Sequence, residues 1–362
     1  MAKGSKKWWY LLGLAVFVTY IFIAPRRIPV ETVLKPRWIT SLESNYPFSF
    51  GASPALENEW LLPFTVGDRF GYLRDDGYFT VNKTRSGYIS ISEKAWAEYD
   101  ALPSSIQIMD PQNENLLTIE NPKGYPLFLD KNTFIVGNEQ NYISALDPEG
   151  GELWSYDFPA PITCIDGTEE YILAGTLDGT VILLSSSGLP VFTPFEPGGS
   201  RLSVILGCAI SRDASRLAII SGIGEQRFLL LERSGDTYKV VYHEFLSNGF
   251  RRPVHVKFVD NDSKIVFERE EGLGIYNIGS RNSTRVNLNG EIVALDNSGE
   301  EGFLFAVTSQ GAREKRFISI RYPELILNEA PFISNNAFFA RRGRLLYLGG
   351  DSLLTSFEME KK

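Results

Sequence analysis

The feature that most constrains this chain is a long succession of short strand-like segments. From about residue 58 onward, apolar or alternating runs of 4–8 residues are separated by clusters of Gly, Asp, Asn and Ser. Alternation with a period of two is typical of β-strands, and such clusters are typical of turns. Helical periodicity is nearly absent, and only residues 93–99 could form a turn of helix. The sequence therefore predicts an all-β domain.

These segments repeat along the chain. One unit comprises residues 134–137, 142–147 and 153–156, and a second comprises residues 172–175, 180–185 and 190–192. Gly137 and Gly175 are 38 residues apart, and further copies continue the series before and after them. Since a repeated sheet with an apolar face cannot bury it alone, successive units must stack against one another.

One stretch indicates a family. Residues 145–154 read Ala-Leu-Asp-Pro-Glu-Gly-Gly-Glu-Leu-Trp, which resembles the tryptophan docking motif of quinoprotein-like propellers. The turn before Gly150 is one residue shorter than in that motif, and its usual Thr is missing. The chain thus resembles the WD40-like and quinoprotein-like β-propellers. That resemblance implies a single propeller over residues 58–362, with about seven four-stranded blades at roughly 40–45 residues each. We expect a segment N-terminal to Trp60 to supply the missing outer strand of the last blade.

The N-terminus carries a different signal, an uncharged apolar run from Trp8 to Ala24. As a helix this run would be near the lower limit for crossing a bilayer. Three lysines precede it and two arginines follow it, so the positive-inside rule favours a cytoplasmic N-terminus. A cleaved signal peptide and a buried helix are the alternatives, but no small-residue cleavage pattern follows the run and it has no polar face. We predict a basic tail (1–7), a signal-anchor helix (8–25), a stalk (26–57) and the propeller domain (58–362).

Charge excludes some partners. The chain has a formal charge of −8, and residues 1–27 hold five Lys or Arg and no acid, which leaves −13 on the remainder. A domain with this charge is not expected to bind nucleic acid. Two basic groups, Arg251, Arg252 and Lys257 and then Arg341, Arg342 and Arg344, are predicted to lie in solvated turns.

The cysteines and histidines of this sequence do not predict a metal site. Cys164 and Cys208 lie in apolar, strand-like segments, where we expect two buried small side chains, although export would allow them to pair. His243 and His255 have no neighbouring ligands at metal-binding spacing and are expected at the surface or half-buried.

Known catalytic motifs are also missing from the sequence, which has no nucleophile elbow, P-loop or dinucleotide fingerprint. Asp75, Asp147, Asp178 and the segment 260–263 are predicted to form turns rather than acid–base or calcium sites. A distant carboxylate pair for glycoside chemistry stays open. No residue can be assigned to a quinone cofactor, so we assign no catalytic, cofactor or metal residues and expect no cofactor.

These observations lead to an expected function. We expect a non-enzymatic scaffold or docking module that binds other proteins of a membrane or envelope complex and meets the membrane through Trp8 to Ala24. Its resemblance to bacterial envelope propellers, such as the lipoprotein of outer-membrane assembly, implies the bacterial inner membrane with the propeller in the periplasm. Unlike that lipoprotein, the chain has no Cys near the apolar run that could carry a lipid. The alternatives are a propeller enzyme (hydrolase, lyase or quinoprotein type) acting at the central channel and a ligand-binding sensor.

Overall fold

The computed structural model describes residues 13–14, 17, 32–44, 46–50, 60–192, 194–198, 202–247 and 249–361. The domain within these ranges is all-β, as predicted. The first half of the chain contains β1 (Thr32–Ser41), β2 (Phe48–Ser49), β3 (Leu61–Val66), β4 (Arg69–Arg74), β5 (Phe79–Thr84), β6 (Tyr88–Ile91), β7 (Trp96–Tyr99), β8 (Ser105–Met109), β9 (Asn115–Glu120), β10 (Gly124–Leu129), β11 (Asn132–Gly137), β12 (Tyr142–Leu146), β13 (Glu152–Asp157), β14 (Ile162–Gly167), β15 (Tyr171–Thr176) and β16 (Val181–Ser185).

The second half continues the same pattern of short strands and tight turns. It contains β17 (Ile205–Ile210), β18 (Arg216–Ser221), β19 (Gln226–Ser234), β20 (Thr237–Leu246), β21 (Val256–Val259), β22 (Lys264–Arg269), β23 (Gly272–Asn277), β24 (Asn282–Asn287), β25 (Glu291–Leu295), β26 (Phe303–Gln310), β27 (Glu314–Arg321), β28 (Leu325–Ile333), β29 (Phe338–Arg342), β30 (Leu345–Gly350) and β31 (Leu353–Lys361).

The described strands form eight antiparallel sheets, so the propeller has eight blades and the expected number of about seven is wrong. In chain order, blade 1 is β3–β5, blade 2 β6–β9, blade 3 β10–β13, blade 4 β14–β16, blade 5 β17–β20, blade 6 β21–β24 and blade 7 β25–β28; blade 8 joins β29–β31 to β1 and β2. The miscount came from the assumed repeat of 40–45 residues. The 38 residues between Gly137 and Gly175 are closer to the true spacing.

Each blade is buried on both faces, which explains its apolar middle strands. Along β15, Ile172 and Ala174 pack toward blade 3, whereas Leu173 packs toward blade 5. Since successive side chains of a strand point to opposite faces, a strand between two neighbours must be apolar at every position. A continuous apolar run in this chain therefore marks the interior of a blade.

Eight apolar clusters join the blades, one between each neighbouring pair. The cluster between blades 8 and 1 contains Trp38, Tyr347 and Leu354 from one side and Phe64 and Leu73 from the other. The ring is therefore closed by the same apolar packing that joins its other blades.

Ring closure also uses strand β1, which lies N-terminal to Trp60, where the closing strand is expected. It pairs antiparallel with β31 from Thr32 opposite Lys361 to Ser41 opposite Leu353. The Arg37 guanidinium donates two hydrogen bonds of 2.6 and 2.8 Å to the Asp75 carboxylate in blade 1, and the Tyr347 hydroxyl lies 3.0 Å from the same carboxylate. These three side chains form what we call the closure cluster, which ties β1 and β30 to blade 1.

The tryptophan motif docks as its resemblance implies. The Trp154 indole N–H, on the outer strand of blade 3, donates a 2.7 Å hydrogen bond to the Ser186 carbonyl of blade 4. Gly188 lies beneath the ring, and a Cβ there would be 2.4 Å from Trp154 Cδ2. Trp38 of β1 makes the same contact at the closure, with its N–H 2.6 Å from the Asp75 carbonyl and Gly77 beneath its ring.

Arg341 differs from the expectation of a solvated turn. Its side chain is fully buried between blades 7 and 8, where it lies 2.8 Å from the equally buried Asp296 carboxylate. It also donates to the carbonyls of Phe303, Glu300 and Gly343. The prediction was wrong because a short basic run in a sequence does not show which of its members faces the next blade.

The predicted anchor, residues 8–25, lies outside the described residues except for Gly13, Leu14 and Phe17. In the part of the chain that is described, no helix has the length and apolar character to cross a membrane.

Candidate functional site: the channel wall of blades 4 to 6

The central channel of the ring has its most distinctive wall at blades 4, 5 and 6. The first strand of each blade, β14, β17 and β21, faces the channel, and neighbouring first strands contact one another. Two cavities open along this wall, of about 620 Å³ and about 540 Å³. They share Thr163, Cys164, Ile165, Leu206 and Pro253, so the two cavities meet at one stretch of wall.

The two cavities open on opposite sides of the ring. In an antiparallel sheet, the turns after the first and third strands lie on one side, and the turn after the second strand lies on the other with the connection to the next blade. The larger cavity reaches Arg212, Asp260 and Ser298, which follow the first strands of blades 5, 6 and 7. The smaller cavity reaches Leu177 and Ile223, which follow the second strands of blades 4 and 5. We call the first opening the polar mouth and the second the apolar mouth.

Asp166 is the most perturbed acid of the polar mouth. It lies near the end of β14, and one carboxylate oxygen accepts a 2.9 Å hydrogen bond from the Ile210 backbone N–H of the next blade. Burial raises the pKa of Asp166, while the hydrogen bonds from Ile210 and Gly167 and the charge of Lys257 oppose that rise only in part. Asp166 is therefore a carboxyl group that can gain a proton more readily than a solvated aspartate.

Two thiols lie beside Asp166. Cys164 is half-buried and Cys208 is buried, and neither forms a disulfide. Burial and the adjacent Cys164 thiol raise the pKa of Cys208 well above its usual value, with the side-chain contact to Cys164 as the larger cause. Cys208 is consequently a neutral thiol at neutral pH.

An ion pair lies at the apolar mouth, between the half-buried Arg252 and the buried Glu268. The Arg252 guanidinium donates hydrogen bonds of 2.6 and 3.2 Å to the Glu268 carboxylate, which also accepts one from the His255 backbone N–H. A second carboxylate, Glu291, lies 3.0 Å from Arg252 Nε. Arg252 is thus a paired, half-buried cation in the bend that precedes β21. Burial lowers the pKa of His255, so this imidazole is neutral at neutral pH.

The edge of the polar mouth is acidic and cross-linked. Arg212 donates through its backbone N–H to Asp262 and through its guanidinium to Asn261, which ties the turns of blades 5 and 6 together. Asp260 is paired with Lys264 in the same turn. Asp260, Asn261 and Asp262 all have positive φ angles. Segment 260–263 is therefore a tight turn, as predicted.

The apolar mouth has a contrasting lining. Most of its wall is contributed by apolar side chains, namely Tyr125, Leu127, Val136, Ile162, Leu177, Val204, Leu206 and Ile223. Leu177 is 51% exposed, and Leu202, in the connection between blades 4 and 5, is 61% exposed. Arg251 and Arg252 line the same mouth. It is therefore an apolar recess with a basic edge.

The remaining residues singled out from the sequence are distributed over the ring. Asp75, Asp147 and Asp178 accept hydrogen bonds in or beside tight turns, as predicted, and Asp75 also belongs to the closure cluster. His243 is exposed on β20, 12 residues before the half-buried His255. Among the described residues, no group of three or more His, Cys, Asp or Glu could hold a metal ion.

Sequence reasoning missed Asp166, Glu268 and the meeting of the two thiols. A signal existed for Asp166, because it is a lone acid in the otherwise apolar segment 162–166. An acid in such a segment must face either a buried partner or a channel. No sequence pattern indicates that β14 and β17 place their cysteines together, since that contact depends on the closed ring.

Comparison with known proteins agrees with this architecture. A family model described as "beta-propeller protein" matches residues 1–362. The chain belongs to this family. An uncharacterized protein of Treponema pallidum (strain Nichols) is 24% identical to this β-propeller protein over 364 residues, covering 99% of this chain and 96% of the relative.

Two solved structures share the fold. BamB from Moraxella catarrhalis has a TM-score of 0.60 at 13% identity, covering 90% of this propeller chain and 100% of BamB. The dihydro-heme d1 dehydrogenase NirN in complex with DHE has a TM-score of 0.52 at 12% identity, covering 74% of this chain and 60% of NirN. NirN is named as an enzyme, so the fold by itself does not decide whether a propeller is catalytic.

Proposed function

We propose that this β-propeller protein is a membrane-tethered docking module of the bacterial cell envelope. In this proposal, the apolar mouth binds an extended apolar segment of a partner protein. The observation that carries it is the apolar recess of about 540 Å³ with the exposed Leu177 in its lining. Contiguous exposed apolar surface on a soluble domain is typical of an interaction site.

The chemistry of the partner follows from the edge of the recess. Arg251 is exposed there, beside the paired Arg252. A partner segment with apolar side chains and a flanking acid would complement both the recess and this cation. The eight inter-blade clusters hold the recess in one shape, so binding does not require the ring to reorganise.

The tether and the compartment belong to the same proposal. The uncharged run from Trp8 to Ala24, with three lysines before it, supports a signal-anchor with a cytoplasmic N-terminus and a periplasmic propeller. A periplasmic topology reporter fused after residue 362 should be active in this orientation. A reporter active only in the cytoplasm would refute the localisation without affecting the docking proposal.

Docking can be tested by site-specific photocrosslinking in intact cells. A photoreactive residue at position 177 should give one discrete crosslinked species, whereas the same residue at position 189 should give none. Leu189 is a matched control because it is 66% exposed and lies in a turn of the same blade, on the side of the polar mouth. Equal crosslinking at both positions, or none at 177, would refute the proposal.

The segment identified in this way should then bind the purified propeller directly. Leu177→Asp places a charge in the recess and should weaken that binding by about tenfold or more, because one desolvated apolar contact contributes about 1.5–3 kcal/mol. Leu189→Asp should leave the affinity unchanged. No effect of either substitution would show that the crosslinked segment is held elsewhere.

A second candidate function is ligand binding at the polar mouth, and the raised pKa of Asp166 beside Lys257 favours it. A channel carboxyl group with a perturbed pKa is also typical of enzyme sites. This alternative predicts that a small polyol or amine raises the Tm of the wild-type protein and does not raise that of Asp166→Asn. The docking proposal predicts no such dependence on Asp166.

A further inference from the structure

The two cysteines of this chain come from separate blades but meet in the channel wall. Cys164 lies on β14 of blade 4 and Cys208 lies on β17 of blade 5, 44 residues apart in the chain. Cys164 packs against the apolar cluster that contains Cys208, both thiols line the larger cavity, and Cys208 Sγ lies 3.9 Å from the Leu173 carbonyl of blade 4. The Cys208 side chain therefore crosses the boundary between the blades.

A glycine makes room for this contact. Gly175 on β15 is the strand partner of Cys164. A Cβ at Gly175 would lie 2.7 Å from Cys164 Sγ and 2.4 Å from Ile205 Cγ2, both closer than atoms can approach. A larger residue at this position would push the thiol or β17 away. The absence of a side chain at Gly175 therefore leaves the space that the Cys164 sulfur and Ile205 occupy.

Solvent can reach the pair from one side. Cys164 is half-buried and borders both cavities, whereas Cys208 is buried and borders only the larger one. Cys164 is thus the thiol that an incoming molecule meets first, and Cys208 lies behind it. This arrangement matches an attacking thiol followed by a resolving thiol.

We propose that Cys164 and Cys208 form a reversible disulfide that joins blades 4 and 5, made by exchange with a small disulfide that enters the channel. The Cys164 thiolate attacks one sulfur of the small disulfide, forms a mixed disulfide and releases the first small thiol. The Cys208 thiol then loses its proton, and its sulfur attacks Cys164 Sγ and releases the second small thiol. The two protein thiols give up two electrons, the small disulfide gains them, and the two protons leave with the released thiols.

The proposed disulfide would affect both mouths, because it would form in the wall that they share. Since Cys164 borders both cavities, fixing its sulfur to Cys208 changes the wall that they share. The bond also closes a 44-residue loop that includes the connection from blade 4 to blade 5. Closing this loop should raise the Tm of the purified protein by about 5 °C.

The experiment uses the purified full-length chain and oxidised glutathione as the small disulfide. After oxidation, blocking of free thiols and digestion without reductant, the peptides containing Cys164 and Cys208 should be linked and two hydrogens lighter than their sum. Dithiothreitol should separate them. In Cys208→Ser, oxidised glutathione should leave a stable glutathione adduct on Cys164, and Cys164→Ser should show neither product.

The outcomes that would overturn the proposal are distinct from these. Alkylation of both cysteines after oxidation, as in reduced protein, would show that the pair does not react. A lasting glutathione adduct on Cys164 of the wild-type chain would show that Cys208 cannot resolve it. Linkage only between separate molecules would also refute an intramolecular bond.

Discussion

At the scale of single residues, the blades are held together by aromatic rings lying over glycines. Trp154 lies over Gly188 and Trp38 over Gly77, and in each pair the indole N–H donates to a carbonyl of the next blade. Between blades 2 and 3, Leu117 takes the same position over Gly150. The glycine matters because its missing side chain leaves the space in which the neighbour packs.

Gly188→Ala should destabilise the propeller by about 2–4 kcal/mol. The new methyl group would collide with the Trp154 ring, and the φ of +77° at this position is also unfavourable for alanine. Urea unfolding followed by tryptophan fluorescence would measure the change. Gly235→Ala is the control, because Gly235 has a φ of +68° but nothing within 4 Å of the new Cβ. Equal losses for both variants would show that the contact with Trp154 contributes nothing.

Two aspartates should respond to pH in opposite directions. Burial raises the pKa of Asp166, so ionising it costs stability, and that cost appears as the pH rises through its folded pKa. Asp166→Asn should therefore raise the Tm at pH 7 relative to the wild type and have little effect near pH 3. Thermal unfolding followed by circular dichroism across this pH range is the measurement.

Asp213 provides the matched comparison. Hydrogen bonds from Ser215 and Ser211 lower its pKa to about 2, with the Ser215 backbone N–H as the largest cause. Its stabilising effect is present above the usual aspartate pKa and is lost as the pH falls toward 2. Asp213→Asn should lower the Tm at pH 7 and lose that effect at pH 2. The same sign for both variants at pH 7 would contradict these environments.

The sequence predicts some of these residues and not others, for physical reasons. Trp154 and the turn aspartates follow from local patterns of a few residues, and the structure confirms them. Arg341 was placed wrongly, because its buried ion pair with Asp296 depends on packing against the neighbouring blade. The meeting of Cys164 and Cys208 also depends on that packing, so no local pattern indicates it.

At the scale of elements, the closing strand β1 differs from the other strands in its connection. It belongs, with β2, to blade 8, whose other three strands come from the C-terminal end of the chain. Its position was predictable because a final blade with three strands leaves an open edge. Its contacts with blade 1 were not predictable, because Arg37 and Asp75 lie 38 residues apart and no sequence motif links them.

Removing the Asp75 carboxylate should open the closure cluster. Arg37 is only 5% exposed through its side chain, so Asp75→Ala leaves a buried cation without this partner and should cost about 3–5 kcal/mol. Equilibrium unfolding in urea would measure it. Asp76→Ala tests the neighbouring exposed pair with Arg74 and should cost less than about 1 kcal/mol. A similar small loss for both would show that the closure does not depend on Asp75.

At the scale of the whole molecule, the number of blades is set by how many apolar interfaces the chain can complete. Each of the eight clusters receives side chains from two blades, so every blade needs both neighbours. The sequence predicts the closed ring. The number of blades depends on the average length of the repeat, and small differences in turn length are enough to change an expected seven blades to eight.

A chain that begins at residue 60 should self-associate. Without β1, the edge of β31 is open to pairing with another chain. Size-exclusion chromatography with light scattering should show dimers or larger species, and a synthetic peptide of residues 32–41 should reverse this association. A stable monomer that ignores the peptide would contradict the role of β1. A scrambled peptide of the same composition is the control.

The antiparallel pairing of β1 with β31 also determines how the protein would respond to mechanical force. Thr32 is opposite Lys361, and the pairing continues along the full length of β1 to Ser41. A pull applied at Thr32 along the strand axis therefore loads these pairs together in shear, rather than separating them one at a time. A force that arrives from the N-terminal side, along the strand that closes the ring, is therefore shared by many backbone pairs at once.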